Sequence, residues 1–133
     1  MTYSQITATA AMMRNGNDDI LTEEKYTDTA LVALGKTAAL AEMKLDLQEA
    51  LQLDYDDTTT LDDVADKYSL KLGRALAYKQ LALFYQRNDT GAGTKNRARW
   101  EMYQRLYNNE KAGFGALSAD AYSQNVTSIP FKR

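Results

Sequence analysis

The run Leu70-Lys71-Leu72-Gly73-Arg74-Ala75-Leu76-Ala77-Tyr78-Lys79-Gln80-Leu81-Ala82-Leu83-Phe84-Tyr85-Gln86-Arg87 decides the fold. Ala and Leu dominate it, it contains no Pro, and its length suits a helix and not a strand. It is the most apolar helix-length stretch of the chain and predicts the core helix, over 70–87, with Ser69 as its cap. Its polar members Lys71, Arg74, Lys79, Gln80 and Arg87 are basic or neutral, so any strip it exposes is positive.

On the C-terminal side, Asn88-Asp89-Thr90-Gly91-Ala92-Gly93 is a loop. Gly93 is followed by Thr94-Lys95 and no strand precedes the loop, so it lacks the form of a phosphate-binding loop. A second helix is predicted over 95–112, with Trp100, Tyr103, Leu106 and Tyr107 on one face and Gly113 as its C-terminal cap. After Leu117 the chain turns polar and irregular. Residues 118–133 read as an extended arm with apolar anchors at Tyr122, Val126, Ile129 and Phe131, ending in Lys132-Arg133.

On the N-terminal side, Thr60-Leu61-Asp62-Asp63 looks like a capped start to a short helix ending at Asp66 or Lys67. Asp54-Tyr55-Asp56-Asp57-Thr58-Thr59-Thr60 is an acidic loop. Its carboxylates lack the alternation, central Gly and closing Glu of a calcium loop, so no metal is expected there. Before it, Thr22-Glu23-Glu24 suits a helix start, and the spacing of Leu31, Leu34, Ala38, Ala41, Leu45 and Leu51 predicts one buried face. Gly35 is a weak point in that helix and not a stop. Val32, Leu40, Met43 and Leu47 widen the apolar stripe, which predicts contacts on two sides. Residues 1–21 show no period and read as a flexible N-terminal arm. The expectation is therefore all-α: a bundle of about four helices over 22–117, between an arm at 1–21 and another at 118–133.

Composition agrees and removes chemistry. The chain has 133 residues, a single Pro, no Cys and no His, so thiolates, imidazole bases and the usual zinc and haem ligands are missing. No segment approaches the ~20 apolar residues of a membrane span and the start lacks a leader's pattern, so the chain is expected to be soluble and unprocessed. The carboxylates Asp62, Asp63 and Asp66 have nothing beside them to tune one as an acid or base and are read as a solvated helix surface. No cofactor and no catalytic set is expected, and an enzyme is the least supported reading. Asn88-Asp89-Thr90 and Asn125-Val126-Thr127 match a glycosylation pattern that, without a secretory signal, is read as chance.

Charge is the informative feature. Residues 1–66 carry fourteen acids against four bases and residues 67–133 carry four against twelve, so a formal charge of −2 hides halves of −10 and +8. Such halves can neutralise each other within a subunit, join neighbours head to tail, or turn one face to nucleic acid. Lys95, Arg97 and Arg99 stand in a first helical turn, against the dipole, which points either to an acidic or phosphate partner nearby or to pairing with the acidic half of the same chain. With Arg105 they form a candidate subunit or phosphate contact. Interleaved aromatics invite base stacking, but Trp100, Tyr103 and Tyr107 at i, i+3 and i+7 have the spacing of a buried stripe.

The run Leu61-Asp62-Asp63-Val64-Ala65 leading into Leu76-Ala77-Tyr78-Lys79-Gln80-Leu81-Ala82-Leu83-Phe84-Tyr85, followed by a polar loop and Arg99-Trp100-Glu101-Met102-Tyr103-Gln104-Arg105-Leu106-Tyr107, resembles the head-to-tail connector (adaptor, or head-completion) proteins of tailed bacteriophages. The resemblance covers 61–133 and rests on the order of parts. It implies a structural protein of the virion neck, assembled in the host cytoplasm. It further implies a homo-oligomeric ring, usually a dodecamer, docked between the portal and the next neck or tail protein, with DNA passing through the bore and no membrane contact. The arm residues Tyr122, Val126, Ile129, Phe131, Lys132 and Arg133 are then candidates for portal contact. The acids Asp54, Asp56 and Asp57 are candidates for lining the bore, where repulsion keeps DNA sliding. The acidic helix over 27–53 could instead meet the basic 70–112 hairpin of the next subunit. The alternative from another class is a small helical nucleic-acid-binding protein using the basic 95–105 segment. A low pI of about 5.1 and the lack of a recognition helix stand against it.

Overall fold

A computed structural model describes residues 1–14, 27–88 and 95–117, with only the backbone of Lys95. The order is a 3-10 turn at Tyr3–Gln5, then α1 (Ala10–Met13), α2 (Asp28–Ala33), α3 (Lys36–Leu51), α4 (Thr58–Lys67), α5 (Ser69–Arg87), α6 (Lys95–Lys111) and a last 3-10 turn at Phe114–Ala116. Among the described residues there is no strand, and the protein is all-α as expected. The expected Thr22 helix start, residues 89–93 of the expected loop and the arm at 118–133 lie outside the described residues.

α5 is the core helix. Leu72, Ala75 and Leu76 enter a cluster with Ala39, Met43 and Leu47 of α3 and Leu61, Val64 and Ala65 of α4. One turn further on, Ala77, Leu81, Ala82 and Tyr85 enter a second cluster with Leu31 of α2, Met13 of α1 and Tyr103 of α6. α6 runs antiparallel to α5: Tyr85 stacks on Tyr103 with centroids 5.8 Å apart, and Lys79 lies over the Tyr107 ring at 4.9 Å. Tyr103 and Tyr107 are buried as their spacing predicts, while Trp100 and Leu106 are half-buried.

The N-terminal segment is the largest departure from expectation. Residues 1–14 are not an arm: Tyr3, Ile6, Ala8 and Met13 are all buried. The Tyr3 N–H donates to Asp62 Oδ1 at 2.8 Å, the Tyr3 hydroxyl to the Leu40 carbonyl at 2.5 Å, and the terminal ammonium lies 3.5 Å from Asp66. Asp62 and Asp66, one helical turn apart on α4, thus serve as acceptors for this segment. Gly73 makes room for it, since a Cβ there would stand 2.9 Å from the Thr7 carbonyl oxygen. A polar-looking sequence is buried because other elements supply its partners, which no local period records.

The long helix expected across Gly35 is two helices. Thr27 caps α2 through its hydroxyl, which accepts from the Ala30 N–H at 3.2 Å. Gly35 adopts φ +64°, a left-handed conformation that Gly takes without strain, and α3 begins at Lys36. Gln80, fully buried on α5, holds the break by donating Nε2 to the carbonyls of Val32 at 2.9 Å and Leu34 at 2.8 Å. Carbonyls left over at a helix end need such donors when they are buried.

The buried face of α3 also differs. Ala39, Met43, Leu47 and Gln48 face inward, whereas Ala41 is exposed and Leu45 is 57% exposed. α3 is apolar on more than one side, so periodicity alone could not choose between stripes. The remaining corrections are at helix ends. Asp57 and not Thr60 caps α4, its Oδ1 accepting from the Thr60 N–H at 3.0 Å. Ser69 is the first residue of α5 and not its cap, because α4 and α5 are joined by a single bent residue, Tyr68. Gly113 has φ −91°, so it is no left-handed cap; the chain continues into the turn that buries Phe114 and, beyond it, Leu117.

Candidate functional site

Between α3, α5 and α6 runs a seam of polar groups. Lys79, nearly buried, lies 3.2 Å from Glu42 and donates to Gln104 Oε1 at 3.2 Å. The Tyr107 hydroxyl donates to Asp46 Oδ2 at 2.5 Å, Lys111 lies 3.6 Å from Asp46, and Gln104 Nε2 donates to Asn108 Oδ1 at 2.9 Å. Burial first, then the hydrogen bond to Asp46 and its negative charge, push the Tyr107 phenol far above its usual range. Burial and the same carboxylate do likewise to Tyr3. These phenols stay neutral and bind α6 and the N-terminal segment to α3. Every group in the seam has a partner in the same chain, so the seam uses part of the charge asymmetry internally. Glu42 and Asp46 meet the α5–α6 hairpin of their own chain, as in the first of the three uses open to the charge split, neutralisation within a subunit.

Of the cations expected to act together on α6, Arg97 and Arg99 do not share a helix face. Arg97 and Arg99, two residues apart, project about 200° from each other around a helix. The Arg99 guanidinium lies over the Tyr85 ring at 5.6 Å and is drawn against the protein body, whereas Arg105 is exposed. The side chain of Lys95 and the arm residues Tyr122, Val126, Ile129, Phe131, Lys132 and Arg133 lie outside the described residues.

The acidic loop is built firmly. The Asp57 N–H donates to the Asp54 carbonyl at 3.0 Å and the Thr58 N–H to the Asp56 carbonyl at 2.9 Å. The buried Gln48 donates Nε2 to the Tyr55 carbonyl at 3.0 Å. This leaves Asp54 and Asp56 exposed and the Tyr55 side chain outside the core, with the residue 81% exposed; Asp57 is committed to its cap. Among the described residues no group of acids is gathered so as to hold a metal ion.

A surface feature less visible in the sequence lies at the other end of α4. Lys67, Lys71 and Arg74 line an open pocket of about 500 Å³ with Tyr68, Leu70 and, as the one opposing charge, Glu110. Leu70 is 68% exposed at its edge. The i, i+3 pair Lys71 and Arg74 on α5 was the available signal, and Lys67 joins it from the end of α4. It was obscured by Lys79 and Gln80, which share the basic strip of α5 in sequence but are buried in the fold.

No family model, no curated protein and no solved structure matches this chain. Among the described residues no helix is long and apolar enough to cross a membrane. The fold class is that of a small all-α protein.

Proposed function

We propose that this chain is a structural subunit, a head-to-tail adaptor of a tailed-bacteriophage neck that forms a ring beneath the portal and lets DNA pass. The order of parts over 61–133 supports the family, and one observation carries the reading toward assembly. Large apolar side chains stay exposed at separate places: Leu45 on α3, Tyr55 on the acidic loop and Leu70 at the start of α5. A ring subunit needs two unlike faces, one for each neighbour, and these three side chains, on different elements, are the candidates for such contacts. The interior polar groups, by contrast, are taken up in holding helices together.

The portal contact in this reading falls to the arm at 118–133. Deleting it is expected to leave the bundle folded and to abolish docking to a portal ring. The test is crosslinking mass spectrometry on intact particles or lysate from the source, read at Lys95, Lys111 and Lys132. Links from Lys132 to a portal, with others between identical copies, are the expected result. Links only to nucleic-acid enzymes would overturn the reading in favour of a nucleic-acid-binding protein.

A further inference from the structure

We infer that Tyr55, flanked by Asp54 and Asp56, seats in the pocket of Lys67, Lys71 and Arg74 on a second copy of this chain, and that this contact joins subunits head to tail. The inference rests on the subunit reading and names the surfaces that would carry it. Three observations support it. Tyr55 is 81% exposed, yet its backbone is held by buried Gln48 and by the turn bonds at Asp57 and Thr58. An aromatic anchor on a preorganised loop loses little entropy on docking, which is the usual make-up of an interface hot spot. The pocket is open, about 500 Å³ in volume, lined by Tyr68 and Leu70, and carries three cations against Glu110. Two exposed acids beside the tyrosine complement that rim.

Loop and pocket cannot meet within one chain. They lie at opposite ends of α4, Thr58–Lys67, whose ten residues span ~15 Å at 1.5 Å per residue. The two patches are different surfaces, so the contact is heterologous and each copy keeps one free loop and one free pocket. Repetition closes a ring where the rotation fits. The charges also make association weaken as salt rises.

The test is native mass spectrometry and sedimentation of the full chain at rising concentration, with melting followed by circular dichroism to confirm that each variant folds. The wild type is expected to self-associate, and Tyr55→Ala to weaken association about 30-fold, a hot-spot loss. Asp56→Lys and Lys71→Glu should each dissociate the assembly, while both changes in one chain should restore it by reversing the pair. Wild-type assemblies indifferent to all three single changes would overturn this contact and leave the subunit reading standing. A wild type that stays monomeric would overturn the contact as a self-sufficient joint, and portal crosslinking then decides the subunit reading separately. A third outcome, in which Lys71→Glu changes only binding to an added DNA duplex, would assign the pocket to phosphate and refute the inference.

Discussion

The segment Tyr3–Met13 and the strip Ala38–Ala41–Leu45 of α3 were ranked in the wrong order by their sequences. The first is rich in Thr, Ser and Ala and buries Tyr3, Ile6, Ala8 and Met13; the second has helical spacing and Leu, and leaves Leu45 57% exposed. The difference teaches that burial follows from what a neighbour offers. The N-terminal segment finds Asp62 and the Leu40 carbonyl as polar partners and a gap at Gly73. On the outer strip of α3 Ala41 and Leu45 stay exposed, since Ala39, Met43 and Leu47 already supply the inward contacts.

The strongest way to break this comparison is to delete residues 1–9. The deletion uncovers core positions around Leu72 and Gly73 on α5, and we expect it to abolish cooperative thermal unfolding, because the lost burial of Tyr3 and Ile6 rivals the 5–15 kcal/mol that typical domains have in total. If the truncated protein melts as sharply as the full chain, the segment is an arm after all. A sharper pair is Ile6→Ala against Leu45→Ala: the former should cost ~2–5 kcal/mol in denaturant titrations and the latter stay within about 0.5 kcal/mol. Gly73→Ala comes next, at ~1–3 kcal/mol, since its new methyl group meets backbone at Thr7 and not a side chain that can swing away.

Alkaline pH tests how firmly the N-terminal segment is tied to α3. Tyr3 and Tyr107 have phenols raised above their usual range by burial and by Asp46. In the unfolded chain they ionise near pH ~10, so the folded state binds more protons above that point and stability must fall. Their contribution is whole below pH ~10 and is lost as pH rises, by about 1.4 kcal/mol per pH unit for each tyrosine. Tyr3→Phe or Tyr107→Phe should each flatten that slope in urea titrations between pH ~9 and ~11. The smallest expected effect is Asp57→Ala, about 1 kcal/mol from the lost cap of α4, measured by thermal melting.

The α5–α6 hairpin was legible because its signals agree. Composition, length and the i, i+3, i+7 placement of Trp100, Tyr103 and Tyr107 all indicate a helix packed along another, and Tyr103 and Tyr107 are buried. The acidic loop was legible over 54–57, whereas Thr58, Thr59 and Thr60, read as part of it, open α4. The candidate surface was only half legible: Asp54 and Asp56 stand exposed in sequence and structure alike, whereas the Lys67–Lys71–Arg74 pocket forms only because α4 and α5 meet at Tyr68. Among the α6 cations, helix geometry separates Arg97 from Arg99 and Tyr85 draws Arg99 inward, neither of which composition alone records.

Sequence by itself determined that this protein is helical, that α5 is its centre, and that its acids and bases are sorted by position. Those properties follow from local propensity and periodicity, which act over a few residues. Tertiary structure alone decided that the helix breaks at Gly35 under the amide of Gln80, that Glu42 and Asp46 pair internally with the α5–α6 hairpin, and that the first fourteen residues belong to the body. Each of these depends on a donor, an acceptor or a gap supplied by residues distant in the chain, and such partners carry no local signature.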